Sequence, residues 1–143
     1  MENKKCTIVI PARMGSSRLP NKPLKKIAGK PLLKWVIELA MEVDFNSSLI
    51  VLTEDEIIKD FVDSLGVNCF LTDKVHKNGT ERILEIIDHI DSDFIINLQG
   101  DEPLVNPNDL SELYEKIKSS DVDIASICHE VDSLEAEEPS NVK

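Results

Sequence analysis

The sequence has 143 residues, a formal net charge of −11, 41% apolar and 30% charged side chains. This describes one ordered globular domain with one core, and the acidity argues against a general nucleic-acid binder. No apolar run reaches the roughly 18 residues of a membrane span, and the N-terminus lacks a secretory signal, so the expected setting is the cytoplasm with no membrane partner.

In chain order, residues 6–11 (CTIVIP) form a short β-branched run stopped by proline, which predicts a buried strand. Residues 12–30 hold Gly15, Pro20, Pro23 and Gly29 and predict a long loop of the kind that often carries function. Pro31 suits a first helical position, and Leu32, Leu33, Val36, Ile37 and Ala40 recur at helical spacing over 31–43. Residues 49–52 predict a second strand. Thr53 and Glu56 then fit a capping box, followed by Ile57, Ile58, Phe61, Val62 and Leu65 on one helix, with Gly66 at its end.

Residues 67–71 predict a third strand and 72–79 a polar loop. Ile83, Leu84, Ile87 and Ile90 mark a helix, and residues 94–98 a fourth strand. Asn106 suits an N-cap with Pro107 after it and Leu110, Leu113, Tyr114 and Ile117 on one face; residues 123–128 predict a fifth strand. Residues 130–143 are acidic and show no packing pattern. Strands alternating with amphipathic helices predict an α/β fold, a three-layer, doubly wound, mostly parallel sheet. Such folds bind ligands outside the C-terminal ends of the strands, where the loops at 12–30 and 99–105 fall. Cys6, Cys69 and Cys128 each lie in a strand-like stretch and form no metal or disulfide pattern, so all three are expected to be buried free thiols.

Charge is unevenly spread. Residues 1–34 carry nine Lys/Arg against Glu2 alone, while the rest of the chain is strongly acidic. A basic segment on an acidic protein points to an anion site or to a surface balancing its neighbours. Residues 10–23 read IPARMGSSRLPNKP. Gly15, Ser16 and Ser17 offer close backbone approach and donors, while Arg13, Arg18 and Lys22 add cations, a chemistry suited to a triphosphate. The run is neither a Walker A loop nor GxGxxG.

A second feature, residues 99–104 (QGDEPL), puts Asp101 at a strand end beside glycine, where a carboxylate can hold a divalent cation near phosphate; Glu102 can serve there or shape the turn. In a third, residues 76–82 (HKNGTER), Gly79 and Thr80 open a helix, and Arg82 either reaches an acidic ligand or pairs with Glu81 or Glu85 on the surface. His76 is expected to face solvent, His89 lies on a helix surface, and His129 has no evident partner. Trp35 fits core or interface better than a base-stacking platform. No nucleophile triad or paired glycosidase carboxylates appear.

Taken with GKP at 29–31, GTER at 79–82 and NLQGDEP at 97–103, the 10–23 block resembles the 3-deoxy-manno-octulosonate (KDO) cytidylyltransferase family in order and spacing. CMP-sialic acid synthetases share a similar first block. The resemblance implies a Rossmann-like nucleotidyltransferase fold, of which residues 1–143 form the nucleotide-binding part without the C-terminal portion. It implies transfer of CMP from CTP to KDO with release of pyrophosphate, for lipopolysaccharide synthesis, with Mg2+ as cofactor and a homodimer in the full-length form. Activation of another acidic sugar, or CTP binding without turnover, are the alternatives.

By the same resemblance Pro11, Ala12, Arg13, Gly15, Ser16, Ser17, Arg18, Lys22, Thr53 and Gly79 contact the nucleotide. Arg13, Arg18, Lys22 and Asp101 are catalytic, with Asp101 also the metal ligand. Arg82 and Gln99 face the sugar. The chain departs from the family pattern at Met14, Ser17, Asn21, Glu54 and Asn78, and family chains continue past Lys143 with a later acid that completes the metal site.

Overall fold

The computed structural model describes residues 4–15, 19–73 and 76–130. Two units divide the chain, residues 1–111 and 112–143. In the first, strands β1 (Cys6–Pro11), β4 (Ser47–Thr53), β5 (Asn68–Leu71) and β6 (Phe94–Asn97) form one sheet in the order β5-β4-β1-β6. Every pairing in it is parallel. Strands β2 (Lys26–Ile27) and β3 (Lys30–Pro31) make a separate antiparallel ribbon. The helices are α1 (Leu32–Met41), α2 (Glu56–Ser64), α3 (Gly79–Glu85) and α4 (Pro107–Lys118).

The order explains both the layers and the location of a ligand crevice. From β1 the chain steps outward through α1 to β4 and through α2 to β5. It then returns through α3 to β6, on the other side of β1. Parallel crossovers are right-handed, so reversing direction puts α3 on the face opposite α1 and α2. The reversal opens a switch point between β1 and β6, where doubly wound sheets bind ligands.

Helices on both faces require β1 to be apolar throughout, and all six of its residues are buried. Val9 packs with Leu52, Ile83 and Ile86 in one cluster that Ile50, Ile90 and Ile95 complete. Ile8 and Ile10 project to the other face by strand alternation and are fully buried. The Thr7 hydroxyl, buried near the start of β1, shares hydrogen bonds with those of Ser48 (2.7 Å) and Ser92 (2.6 Å).

The long loop of the sequence reading holds more structure than expected. A 3-10 turn at Lys22–Leu24 follows Asn21, whose φ of 58° is the left-handed conformation that asparagine tolerates. The β2–β3 ribbon then turns through Ala28 and Gly29, both at positive φ. Trp35 fastens this ribbon to α1: its indole N–H donates to the Ile27 carbonyl at 2.9 Å, and the Lys30 ammonium lies 3.5 Å from a ring centroid.

Three expectations need correction. Residues 123–128 form no strand; a strand exists only through its ladder, none is made there, and Ile124 is 87% exposed. Cys128 is therefore exposed, while Cys6 and Cys69 are buried in the sheet, where burial pushes both thiols up to about 11. The capping box at Thr53 does not form. Thr53 is held in the β4–β5 ladder, so helix α2 begins only at Glu56 with Asp55 at its N-cap position. The expected C-terminal signal holds: Gly66 follows the helix at φ 73°. Among the described residues no helix is long and apolar enough to cross a membrane.

Candidate nucleotide site

A cleft of about 600 Å3 opens at the C-terminal ends of β1 and β6, a size suited to a small ligand. The sheet itself builds its walls. Beyond β1, the Ala12 N–H donates to the Leu52 carbonyl at 2.8 Å, so pairing with β4 continues to the rim. Beyond β6, the Leu98 N–H donates to the Val9 carbonyl at 3.0 Å. The chain then turns sharply, closed by the Glu102 N–H on the Gln99 carbonyl at 3.2 Å. That turn projects Asp101 over the opening and gives Glu102 its turn-shaping role.

Two glycines make this approach possible. A Cβ on Gly79 would lie 2.7 Å from the Pro11 ring and 3.3 Å from the Gln99 amide nitrogen. One on Gly100 would lie 3.0 Å from the Pro11 carbonyl. The start of α3 and the β6 turn thus both press on the end of β1. Gly15 differs: a Cβ there would meet nothing within 4 Å, so it borders open cleft.

Of the residues expected at the site, Pro11, Ala12, Arg13, Gly15, Lys22, Gly79, Arg82, Gln99 and Asp101 line this one cleft. Ser16, Ser17 and Arg18 lie outside the described residues. Thr53 does not line it. It is fully buried, its hydroxyl accepts from the Asp55 N–H at 3.1 Å, and its carbonyl accepts from the Thr72 N–H at 2.8 Å. Its role here is to hold the β4–α2 turn.

Lys22 and Asp101, 79 residues apart, meet across the opening at 2.5 Å. Gln99 donates from its side chain to the Asn97 side-chain oxygen at 2.9 Å, fixing its amide at the cleft wall.

Arg82 is not a surface residue, and its close ion pair is with Glu54 rather than with Glu81 or Glu85. It is 3% exposed and donates to Glu54 at 2.6 Å, to the Thr72 hydroxyl, and to the Asp73 carbonyl at 3.3 Å. Those bonds join the ends of β4 and β5 to α3. The cleft therefore meets an arginine whose donors are largely committed to protein acceptors.

His76 is also not solvent-facing. Its side chain is 13% exposed, lines the cleft and pairs with Glu85. The imidazole bond to Glu85, aided by the Asp73 N–H, holds that carboxyl below its ordinary 4.5. Lys77 and Asn78 join the lining, and the sequence reading missed all three as site residues. A signal for Asn78 was present: it is followed three residues later by Glu81. The Asn78 side chain accepts from the Glu81 N–H at 2.9 Å, and Glu81 accepts from the Lys77 N–H at 2.8 Å.

A parallel sheet of this order, with a basic, glycine-walled cleft at its switch point, defines an α/β protein of the Rossmann-like type. A cytidylyltransferase family profile matches residues 7–143, and the chain belongs to that family. It is similar to the 3-deoxy-manno-octulosonate cytidylyltransferase of Escherichia coli, at 41% identity over 97% of this chain and 57% of that one. The same-named protein of Vibrio parahaemolyticus is 41% identical over 89% of this chain and 51% of its own.

Among solved structures, CMP:2-keto-3-deoxy-manno-octonic acid synthetase complexed with CTP is similar at TM-score 0.77 and 41% identity, covering 80% of this chain and 47% of that one. A cytidylyltransferase from Leptospira borgpetersenii has a TM-score of 0.71 at 27% identity, over 82% of this chain and 51% of its own. The chain spans about half the length of the curated relatives it matches.

Proposed function

We propose that this chain forms the nucleotide-binding part of an enzyme that transfers CMP from CTP to 3-deoxy-manno-octulosonate and releases pyrophosphate, a step toward lipopolysaccharide. The observation that carries this reading is the cleft at the β1–β6 switch point, with Arg13 and Lys22 on its rim opposite the Asp101 turn. The likeness to relatives named for this reaction supports it. In the reaction a sugar hydroxyl attacks the α-phosphorus, a new oxygen–phosphorus bond forms, and the bond to the departing pyrophosphate breaks. Such transfer depends mainly on positioning and charge stabilisation.

The chain's own groups would divide that work. The Arg13 guanidinium pairs with phosphate oxygens, and Lys22 follows the charge that gathers on pyrophosphate. Arg18, from the same segment, adds a third cation to this assignment. The backbone at Gly15 borders open cleft and leaves room for phosphate. Gln99 presents a fixed amide to the sugar or the base. Arg82, with its donors largely committed, shapes the wall and offers its remaining N–H groups to an acidic sugar.

Magnesium belongs to this proposal. Among the described residues no group of three or more His, Cys, Asp or Glu gathers to hold a metal. A single carboxylate nevertheless fits Mg2+, which keeps several waters and completes its shell with substrate phosphates. Asp101, at a strand end with a 42% exposed side chain, suits that part. When bound, the ion would neutralise phosphate charge. A homodimer of the full-length protein is part of the same proposal.

Calorimetric titration of the chain with CTP, UTP, ATP and GTP, with and without Mg2+, tests the reading. CTP selectivity strengthened by Mg2+ is expected. A folded chain that binds none of the four would overturn it. Addition of KDO then separates turnover from CTP binding alone.

A further inference from the structure

The turn that carries Arg13 and Gly15 is held at two points. The first is the Ala12 bond to Leu52, where the β1–β4 ladder ends. The second is two residues further on: the Met14 N–H donates to the Asp55 carboxylate at 2.7 Å. Asp55 occupies the N-cap position of α2, where an aspartate ordinarily turns its carboxylate onto the helix's own first N–H groups. Here it makes no such bond. Its carboxylate instead reaches a residue 41 positions earlier in the chain. The reach is set from below, because the Asp55 N–H donates to the hydroxyl of fully buried Thr53 and its carbonyl accepts from Ile58 and Lys59.

We propose that Asp55 is a positioning residue that fixes the Arg13–Gly15 turn in the shape that receives the triphosphate. The proposal rests on the CTP site inferred above. Charge alone makes the opposite forecast, since a carboxylate beside a triphosphate site repels it and its removal would tighten binding. A positioning role requires binding to weaken when the acceptor is lost and to survive when only the charge is lost.

Three variants of the 143-residue chain decide between them. Asp55→Asn keeps an oxygen in place. Asp55→Ala removes the acceptor. Asp55→Ser retains a good N-cap for α2 but is too short to reach Met14, and it carries the comparison should the alanine variant unfold. Each is titrated calorimetrically with CTP and with cytidine, and the exchange rate of the Met14 amide is read by NMR.

In the serine and alanine variants Met14 exchange should accelerate and CTP affinity fall about tenfold or more, with cytidine affinity changed less than about twofold. The asparagine variant should match or exceed the unsubstituted chain for CTP. Unchanged or tighter CTP binding on loss of the acceptor overturns the proposal, as does an equal loss for CTP and cytidine. If the unsubstituted chain binds no CTP, the function proposed above fails. The Met14 exchange rate then still judges the pin, and an unaltered rate in the serine variant overturns it.

Discussion

At Arg82 burial and bonding set a large expected cost. The residue is 3% exposed, and its truncation would leave Glu54, whose side chain is 18% exposed, without its cation. Breaking a buried pair from one side commonly costs about 3 kcal/mol or more, so Arg82→Ala should lower unfolding stability by about that amount in a urea titration. Lys22→Ala is expected to behave in the opposite way. Its side chain is 34% exposed, so the thermal midpoint should barely move. CTP affinity measured by calorimetry should nevertheless fall about tenfold through loss of a phosphate contact.

The contrast shows what a sequence can say about single residues. The shared position of Arg13, Lys22 and Asp101 at one cleft was legible because glycines, prolines and cations cluster at strand ends. Arg82 was legible as a motif member but not as a buried tie, because its partner Glu54 is 28 residues away. Asp55 was hidden for the same reason, and the stronger local signal of Thr53 and Glu56 concealed it.

The α3 segment contributes Gly79 and Arg82 to the cleft wall. Gly79 lets its first turn press against Pro11, so Gly79→Ala should displace that turn and weaken CTP binding by calorimetry, while circular dichroism retains the overall fold. At its other end Glu85 accepts from His76 and from the Asp73 N–H, fastening the loop that leads into the helix. Its folded value lies below the ordinary 4.5, so its stabilising contribution is complete above that pH and is lost as pH falls through the folded value. Acid unfolding followed from pH 6 downward should therefore show a shallower acid limb in Glu85→Gln than in the unsubstituted chain.

Apolar patterning, as short runs for the strands and helical spacing for the helices, located the four strands of the main sheet and the helices to within a few residues. It failed at residues 123–128, where β-branched side chains alone cannot create a ladder partner. It also passed over the β2–β3 ribbon, whose two-residue strands are too short to show alternation.

For the molecule as a whole, the sheet order carries the argument. Alternating elements made a doubly wound parallel sheet legible, but not which strands would flank the reversal. Only the pairing of β1 with both β4 and β6 brings the 12–30 loop and the 99–102 turn to one opening. Of the basic residues in that first segment, Arg13 and Lys22 line the opening, while Lys5, Lys30 and Lys34 pair with carboxylates away from it.

The Lys22–Asp101 bridge across that mouth has a thermodynamic consequence. A phosphate that recruits Lys22 withdraws one partner from Asp101, and a divalent cation that recruits Asp101 withdraws one from Lys22. Each guest thus removes part of what the other must displace. If CTP and Mg2+ bind as proposed, equilibrium linkage makes this favour mutual: the factor by which CTP raises the affinity for Mg2+ must equal the factor by which Mg2+ raises the affinity for CTP. Substrate and cation would then enter as a cooperative pair, and an internal ion pair would hold their places until both arrive.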